Sequence, residues 1–237
     1  MRKILLITWV LLFLSFKSSS QSLVTDRPDQ TESSFAVGVG KLQIESGFLM
    51  EFIGEGDIER HIIAPSTLLR FGVLDHLEIR VVNQFDNLSI DDLELGFKIE
   101  MFDCNLFSTK AAFLSHAVLP TGSGTVSDGK LIIMNKLCFS HEVNNKIELG
   151  YNIGYDYTDN YIGDLNYSIA LSMELSENIG VYLEPYGEIV KIESLLSSIN
   201  TGVTYLFNNN FQLDSSFGIG INHTFRYISF GLSWRVG

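Results

Sequence analysis

The sequence predicts an all-β protein, an antiparallel up-and-down transmembrane β-barrel of about 12 strands. Side chains alternate over residues 146–157, where odd positions are apolar and even positions are polar or glycine. Residues 164–175 repeat this pattern with the same parity, and one small alanine lies on the polar face. Alternation with period two is typical of a β-strand, because successive side chains leave opposite faces of the pleat. The pattern indicates that one face meets lipid and the other meets water.

The predicted strands are long and evenly spaced. They run to about 11 residues, against about 5–6 for an ordinary globular strand. At about 3.3 Å per residue and a tilt of about 45°, each covers a height of about 25 Å, which matches the apolar band of an outer-membrane barrel. No room is left for helices between them, so we expect a meander whose chain ends both lie at the periplasmic end. The predicted strands are residues 41–53, 60–71, 76–84, 92–101, 108–119, 130–140, 146–157, 164–175, 179–190, 195–207, 211–221 and 226–236.

Two local features modify this pattern. Pro65 lies inside the second predicted strand, and proline cannot donate to a β-ladder, so we expect a bulge or distortion there. Residues 120–129 are rich in glycine, serine and threonine and form the longest predicted loop. Long loops are expected at the outer end of such a barrel and short turns at the periplasmic end.

Residues 1–20 are predicted to be a signal peptide. Arg2 and Lys3 precede an apolar run over residues 4–16, and small residues follow up to Ser20, where we expect cleavage. The apolar run is too short for a membrane-spanning helix. We therefore expect export to the bacterial outer membrane, and loss of three basic residues changes the formal charge from −12 to −15.

The mature chain divides into two predicted parts. Residues 21–40 are polar and irregular, and we interpret them as a periplasmic tail or a plug. Residues 41–237 form the predicted barrel. The acidic balance argues against nucleic acid as a partner. Cys104 and Cys138 are too few for a disulfide scaffold, and they either pair in the periplasm or stay unpaired.

The polar faces of the strands carry many charges, which must point into the barrel. A charge facing hydrocarbon costs about 2–4 kcal/mol for Arg or Lys at the middle of the bilayer. The lumen is thus either a polar, mildly cation-favouring path or a cross-linked core that keeps a small barrel shut. The predicted inward acids are Glu45, Glu51, Glu78, Glu94, Glu100, Glu148, Asp156, Asp164, Glu174, Glu184, Glu188 and Asp214. The predicted inward bases are Arg80, Lys98, Lys136, Lys146 and Arg235.

No catalytic, cofactor-binding or metal-binding pattern is found. Ser115-His116 and Ser140-His141 are sequence neighbours, and neighbours on a strand point to opposite faces, so only a cross-strand Ser–His pair stays open. The histidines lack a metal-binding spacing such as HxxxH. We therefore do not expect an enzyme, and a membrane-embedded hydrolase is a less favoured alternative than a structural barrel.

Four blocks carry a family resemblance: residues 25–34 (TDRPDQTESS), 69–80 (LRFGVLDHLEIR), 92–98 (DLELGFK) and 119–122 (LPTG). With them, essentially the whole mature chain resembles the transporter-like outer-membrane barrels of the phenol-degradation (meta-pathway) family. The resemblance implies a transporter or channel for small molecules, including hydrophobic or aromatic ones. The chain ends on Gly237 rather than on the aromatic residue that the barrel-assembly machinery reads in many barrels.

The first of these blocks suggests how a plug would be held. Arg27, followed by rigid Pro28, could reach an inward carboxylate at the periplasmic mouth, and Asp26 and Asp29 could pair with Arg80 or Arg235. The alternatives to a channel are a structural barrel with a filled lumen and, less favoured, a hydrolase. The expected partners are outer-membrane lipid, a small solute and the assembly machinery. The candidate lumen and plug residues are Asp26, Arg27, Pro28, Asp29, Glu78, Arg80, Glu94, Lys98, Glu184, Glu188 and Arg235.

Overall fold

A computed structural model describes residues 23–54, 59–87, 89–104, 109–123, 127, 129–158 and 162–237. The predicted signal peptide lies outside the described residues. No helix within the described ranges is long and apolar enough to cross a membrane.

Twelve long antiparallel strands close into a barrel, which confirms the predicted fold class. The two-residue strand β4 pairs antiparallel with the last residues of β3 and is not part of the ring. The strands are β1 Leu42–Ile53, β2 Glu59–Leu74, β3 Leu77–Asp86, β4 Ser89–Ile90, β5 Leu93–Cys104, β6 Thr109–Leu119, β7 Ile132–Asn144, β8 Ile147–Thr158, β9 Asp164–Glu174, β10 Ile179–Val190, β11 Ser194–Asn208, β12 Phe211–Gly220 and β13 Phe225–Val236.

Each long strand pairs with its neighbours in sequence, and β1 pairs with β13 to close the ring. The closing register runs from Leu42 opposite Val236 to Ile53 opposite Phe225. The start of β1 and the end of β13 therefore lie at the same end of the barrel, which we call the N-terminal end. Pairing β1 with β13 leaves none of the twelve long strands as an open edge, as a membrane-spanning sheet requires.

The apolar side chains face outward and the polar ones face inward. On β5, Phe97 and Ile99 are 41% and 40% exposed, whereas Lys98 between them is 0% exposed. On β13, Trp234 is exposed while Ser233 is fully buried. This distribution is the reverse of a soluble protein and fits lipid outside with a polar interior.

The second strand is distorted where Pro65 was expected to disturb it. The register of β2 against β3 shifts between Ile63 and Ser66, and that of β2 against β1 shifts between Gly47 and Leu49. Proline cannot contribute an N–H to the ladder, so the pairing skips it. The rest of β2 continues to Leu74 and places its last inward residues at the N-terminal end.

Residues 23–40, here called the inner segment, run through the barrel interior without regular secondary structure. Their one β-bridge joins Val39 to Gly72 of β2. A Cβ atom at Gly72 would lie 2.3 Å from the carbonyl oxygens of Val37 and Gly38, so only glycine permits this approach. The inner segment enters the interior at the N-terminal end of the barrel, beside the start of β1.

Candidate functional site

One carboxylate in the barrel interior is contacted by three positively charged side chains. The Oδ2 atom of Asp26 lies 2.6 Å from Nη1 of Arg80, 2.9 Å from Nζ of Lys98 and 3.1 Å from Nη1 of Arg70. Arg70, Arg80 and Lys98 belong to β2, β3 and β5, which are consecutive in the ring, and each is at most 1% exposed. The wall of the barrel thus presents three bases to one carboxylate of the inner segment.

The surroundings of Asp26 determine its charge. Burial by itself would raise the pKa of the Asp26 carboxyl, but the three bases outweigh burial and hold that pKa well below its usual range. Asp26 also accepts hydrogen bonds from the backbone N–H and the hydroxyl of Ser33, at 2.9 Å and 2.7 Å. The carboxylate is therefore ionised and fixes the fold of the inner segment as well as its docking.

Further carboxylates neutralise the three bases. Glu78 contacts Arg70 Nε at 3.0 Å and Arg80 Nη1 at 2.9 Å through its Oε1 atom. Glu45 lies 2.9 Å from Arg70 Nη1, and Glu32 of the inner segment lies 2.8 Å from Arg80 Nη2. Buried charges are tolerated in proteins when they are paired and hydrogen-bonded in this way.

Arg27 attaches the inner segment to a second part of the wall. Its Nη2 and Nε atoms donate to the two carboxylate oxygens of Asp214 at 2.9 Å and 3.3 Å, and Nη2 also donates to Ser229 Oγ at 3.0 Å. The backbone N–H groups of Asp26 and Arg27 both donate to Oε2 of Glu45 at 3.0 Å. This part of the wall consists of β1, β12 and β13.

The middle of the inner segment, at Gln30 and Thr31, is held by Glu184 on β10, on another side of the ring. The N–H of Gln30 donates to Glu184 Oε2 at 2.9 Å, and the hydroxyl of Thr31 donates to Oε1 at 2.6 Å. Asn200 on β11 donates to Glu184 Oε2 at 2.5 Å and completes the arrangement. Contacts on β2, β3, β5, β10 and β12 place the inner segment across the lumen.

The structure brings seven of the predicted candidates together. Pro28, between the Arg27 and Glu184 contacts, is buried. Asp26 pairs with Arg80, and Arg27 reaches an inward carboxylate, that of Asp214. The seven candidates that form the docking contacts or lie between them are Asp26, Arg27, Pro28, Glu78, Arg80, Lys98 and Glu184.

Four candidates do not contribute to these docking contacts, although one of them, Asp29, belongs to the inner segment. Asp29 forms no ion pair with any described residue; burial raises its pKa, and the nearby carboxylate of Glu184 raises it further. Arg235 lies at the end of β13 and donates to the carbonyl of Asn209 and the side chain of Asn210 in the adjacent turn, not to the inner segment. Glu94 contacts only the ring of His116, at 3.1 Å, among the described residues, and Glu188 is half-buried on β10 without a described hydrogen bond to the inner segment.

Arg70, Glu32 and Asn152 are among the contact residues that were not predicted from the sequence. Arg70 was not assigned to the lumen because Pro65 obscures the alternation of its strand; the signal was a charge between Leu69 and Phe71. Glu32 accepts from Arg80, and its backbone N–H and C=O bond to the amide of Asn152 at 2.6 Å and 3.0 Å. An irregular segment has no periodicity from which such partners could be predicted.

A cavity of about 460 Å³ lies between the inner segment and strands β7 to β12. Asn144 at the end of β7 and Asn145 in the turn that follows are part of its lining, so the cavity opens at the N-terminal end. Its charged lining is mostly acidic. These side chains are Arg27, Asp29, Glu32, Glu142, Lys146, Glu148 and Glu174.

Neither histidine of the Ser–His neighbours bonds a serine hydroxyl within the described chain. His116 accepts from Arg80 Nε at 2.9 Å through Nε2, and its Nδ1 faces Glu94. His141 bonds Thr109 at 2.8 Å and Tyr151 at 3.1 Å. Cys138 is free and buried, and the side chain of Cys104, the other half of the predicted alternative pair, lies outside the part of the structure that is described.

Comparison with known families and structures agrees with this architecture. A sequence model of the family described as "Putative MetA-pathway of phenol degradation" matches residues 25–236, which confirms the resemblance seen in the sequence. Among curated proteins, none matches the chain.

Several solved outer-membrane proteins share the fold. An outer membrane channel from Pseudomonas putida F1 aligns with a TM-score of 0.65 at 10% identity, over 86% of this chain and 98% of that chain. The KdgM porin aligns with a TM-score of 0.59 at 9% identity, over 80% and 98%. The NanC porin aligns with a TM-score of 0.56 at 8% identity, over 81% and 98%. At these identities the likeness shows the fold alone, an antiparallel β-barrel.

Proposed function

The chain belongs to the family described as "Putative MetA-pathway of phenol degradation", and we propose that it is an outer-membrane channel for small polar solutes that the inner segment keeps closed. The observation that carries this proposal is the docking of Asp26 against Arg70, Arg80 and Lys98 on the inner wall of the barrel. In the proposed resting state the inner segment blocks the path, and opening requires it to leave its contacts.

The distribution of the inner segment's contacts supports a movable plug. Asp26 and Glu32 form ion pairs with bases on β2, β3 and β5, whereas the cavity separates the segment from parts of β7 to β9. The segment reaches β8 through neutral hydrogen bonds, those between the Glu32 backbone and the Asn152 amide. Solute entering from the N-terminal end, which is periplasmic in the predicted orientation, meets the inner segment directly. Displacing the segment toward the cavity would join the cavity to the rest of the lumen.

The chemistry of the lining supports polar and preferentially cationic solutes. The cavity carries five carboxylates against two basic groups, and a low-dielectric wall strengthens the resulting field. Most of the buried side chains of the lumen wall are charged or polar, including Glu184, Asn152, Ser168 and Ser198. Aromatic solutes, which the sequence resemblance implies, are therefore the comparison class in transport assays.

Single-channel conductance in planar bilayers tests the proposal directly. The mature chain is refolded in detergent and compared with a variant that lacks residues 25–34, after circular dichroism and heat-modified gel mobility have shown that both barrels fold. We expect the deletion to raise the conductance several-fold and the reversal potential in a salt gradient to indicate cation preference. Equal, negligible conductance in both would instead support the structural barrel with a filled lumen.

A further inference from the structure

The guanidinium of Arg27 lies flat against the barrel wall on a surface built from two glycines. Gly47 of β1 and Gly231 of β13 face each other in the register. A Cβ atom at Gly47 would lie 2.6 Å from Arg27 Cζ, and one at Gly231 would lie 2.3 Å from Nη2. We call Gly47, Gly231, Asp214 and Ser229 the Arg27 site.

The Arg27 site matches a planar guanidinium in shape and charge. Asp214, whose side chain is fully buried, offers both carboxylate oxygens, and Ser229 offers a hydroxyl oxygen. The glycines leave a flat floor on which the fork can lie. A guanidinium donates through such a fixed fork of N–H groups, whereas a compact ammonium has no plane and cannot make the same paired contact.

The Arg27 site is also reachable from outside the barrel. The side chain of Arg27 is 18% exposed, and it lines the cavity that opens at the N-terminal end. If Arg27 leaves, a solute in the cavity meets a buried carboxylate whose own partner is gone. An unpaired buried carboxylate is costly, so a cation that restores the pairing binds there.

We propose that the Arg27 site is a guanidinium-binding subsite of the pore, which small guanidinium-bearing solutes occupy when the inner segment withdraws. The inference rests on the proposed function for its role in transport, but not for the binding itself. Arg27 is then an internal ligand that occupies the solute's position in the closed state. A guanidinium-bearing solute competes with Arg27 and favours the open channel.

Binding of methylguanidinium to refolded Arg27→Ala tests the subsite. The substitution empties the Arg27 site and keeps Asp214, so isothermal titration should show binding at least about tenfold tighter than to wild type, where Arg27 competes. The double variant Arg27→Ala/Asp214→Asn should lose this binding. Equal affinity for methylguanidinium and methylammonium, or for the single and double variants, would overturn the inference.

Arg60→Ala is the matched control, because Arg60 is exposed at the other end of the barrel and its removal changes net charge equally. If Arg27→Ala does not fold, the variant lacking residues 25–34 also empties the Arg27 site and takes the same titration. The absence of tighter binding there would equally contradict the subsite.

Conductance separates this inference from the proposed function. We expect Arg27→Ala to conduct more than wild type. Methylguanidinium should reduce the conductance of this variant by binding at the Arg27 site. Tighter binding without any conductance would support the subsite and refute the channel. Increased conductance without selective binding would support the channel and refute the subsite.

Discussion

Asp26→Asn is the substitution that tests the docking of the inner segment most directly. It preserves shape and removes one negative charge from the centre of the network. Asp26 is 8% exposed and accepts from Arg80, Lys98 and the Ser33 N–H and hydroxyl. Breaking one partner of a buried ion pair costs about 3–5 kcal/mol. The low end applies here, because the bases keep their other carboxylates and asparagine still accepts one hydrogen bond.

A loss of about 3 kcal/mol corresponds to a change of roughly 10²-fold in the equilibrium between docked and released segment. Amide hydrogen exchange measures this equilibrium, because several N–H groups of the inner segment donate to wall side chains only when it is docked. The N–H of Arg27 donates to Glu45 at 3.0 Å, and that of Val37 donates to Glu78 at 2.7 Å. We therefore expect exchange over residues 23–40 to accelerate by roughly 10²-fold, while the barrel strands keep their protection.

The control is Asp75→Asn, which removes the same charge from an exposed turn between β2 and β3. It should leave exchange in the inner segment unchanged. The reasoning is refuted if Asp26→Asn folds and its inner segment exchanges at the wild-type rate. A general rise across all strands would show that Asp26 supports the barrel rather than the docking.

Three further outcomes follow from the same contacts. The pKa of Asp29 is raised in the docked state, so ionisation of its carboxyl opposes docking as pH rises through that pKa. Asp29→Asn should therefore slow amide hydrogen exchange of the inner segment at pH 7. It should have no effect in acid, where the carboxyl is already protonated. Gly231→Ala displaces the guanidinium of Arg27 and should accelerate exchange, whereas Gly150→Ala, whose Cβ would lie 3.2 Å from Thr31 Cγ2, should change exchange little. Neutralising three cavity carboxylates together should shift the reversal potential toward lower cation preference, and an unchanged potential would contradict the assignment of the path. The three changes are Glu142→Gln, Glu148→Gln and Glu174→Gln.

The pH dependence of docking has a defined sign for Asp26. The folded-state pKa of Asp26 is lowered, so its contribution is fully present above the unfolded value of about 3.9 and is lost as pH falls through the lower folded value. Docking through Asp26 is thus expected to hold at neutral pH and to weaken only in strong acid.

The barrel could be predicted from the sequence because its strands separate two solvents. Alternation such as that of residues 146–157 identifies both a strand and its lipid-facing side. Strand ends were less accurate: β7 continues to Asn144 although alternation predicts an end at residue 140. Beyond the apolar band both faces meet water, so the sequence carries no alternation there even though the ladder continues.

The candidate site could be predicted only in part. Inward charges such as Lys98 follow from strand parity, and a plug follows from the polar stretch before the barrel. The pairing of Arg27 with Asp214 joins positions 187 residues apart, and it depends on the path of an irregular chain through a closed ring. No local pattern in the sequence encodes that path. Arg70, the third base around Asp26, lies on a β-strand, but it was not predicted to face the lumen because Pro65 disturbs the alternation of that strand.

The polar and ionic character of the docking contacts bears on whether the inner segment stays in the lumen permanently or can leave it. A buried ion network is often no more stable than well-packed apolar residues of similar volume, so a barrel that only had to be filled would be served better by an apolar plug. Withdrawing an apolar plug would expose its surface to water at about 25 cal/mol per Å². Withdrawing Asp26, Arg27 and Glu32 instead returns charges to water, where hydration offsets the lost ion pairs. The ionic character of the docking surface therefore favours a segment that leaves the lumen and returns to it.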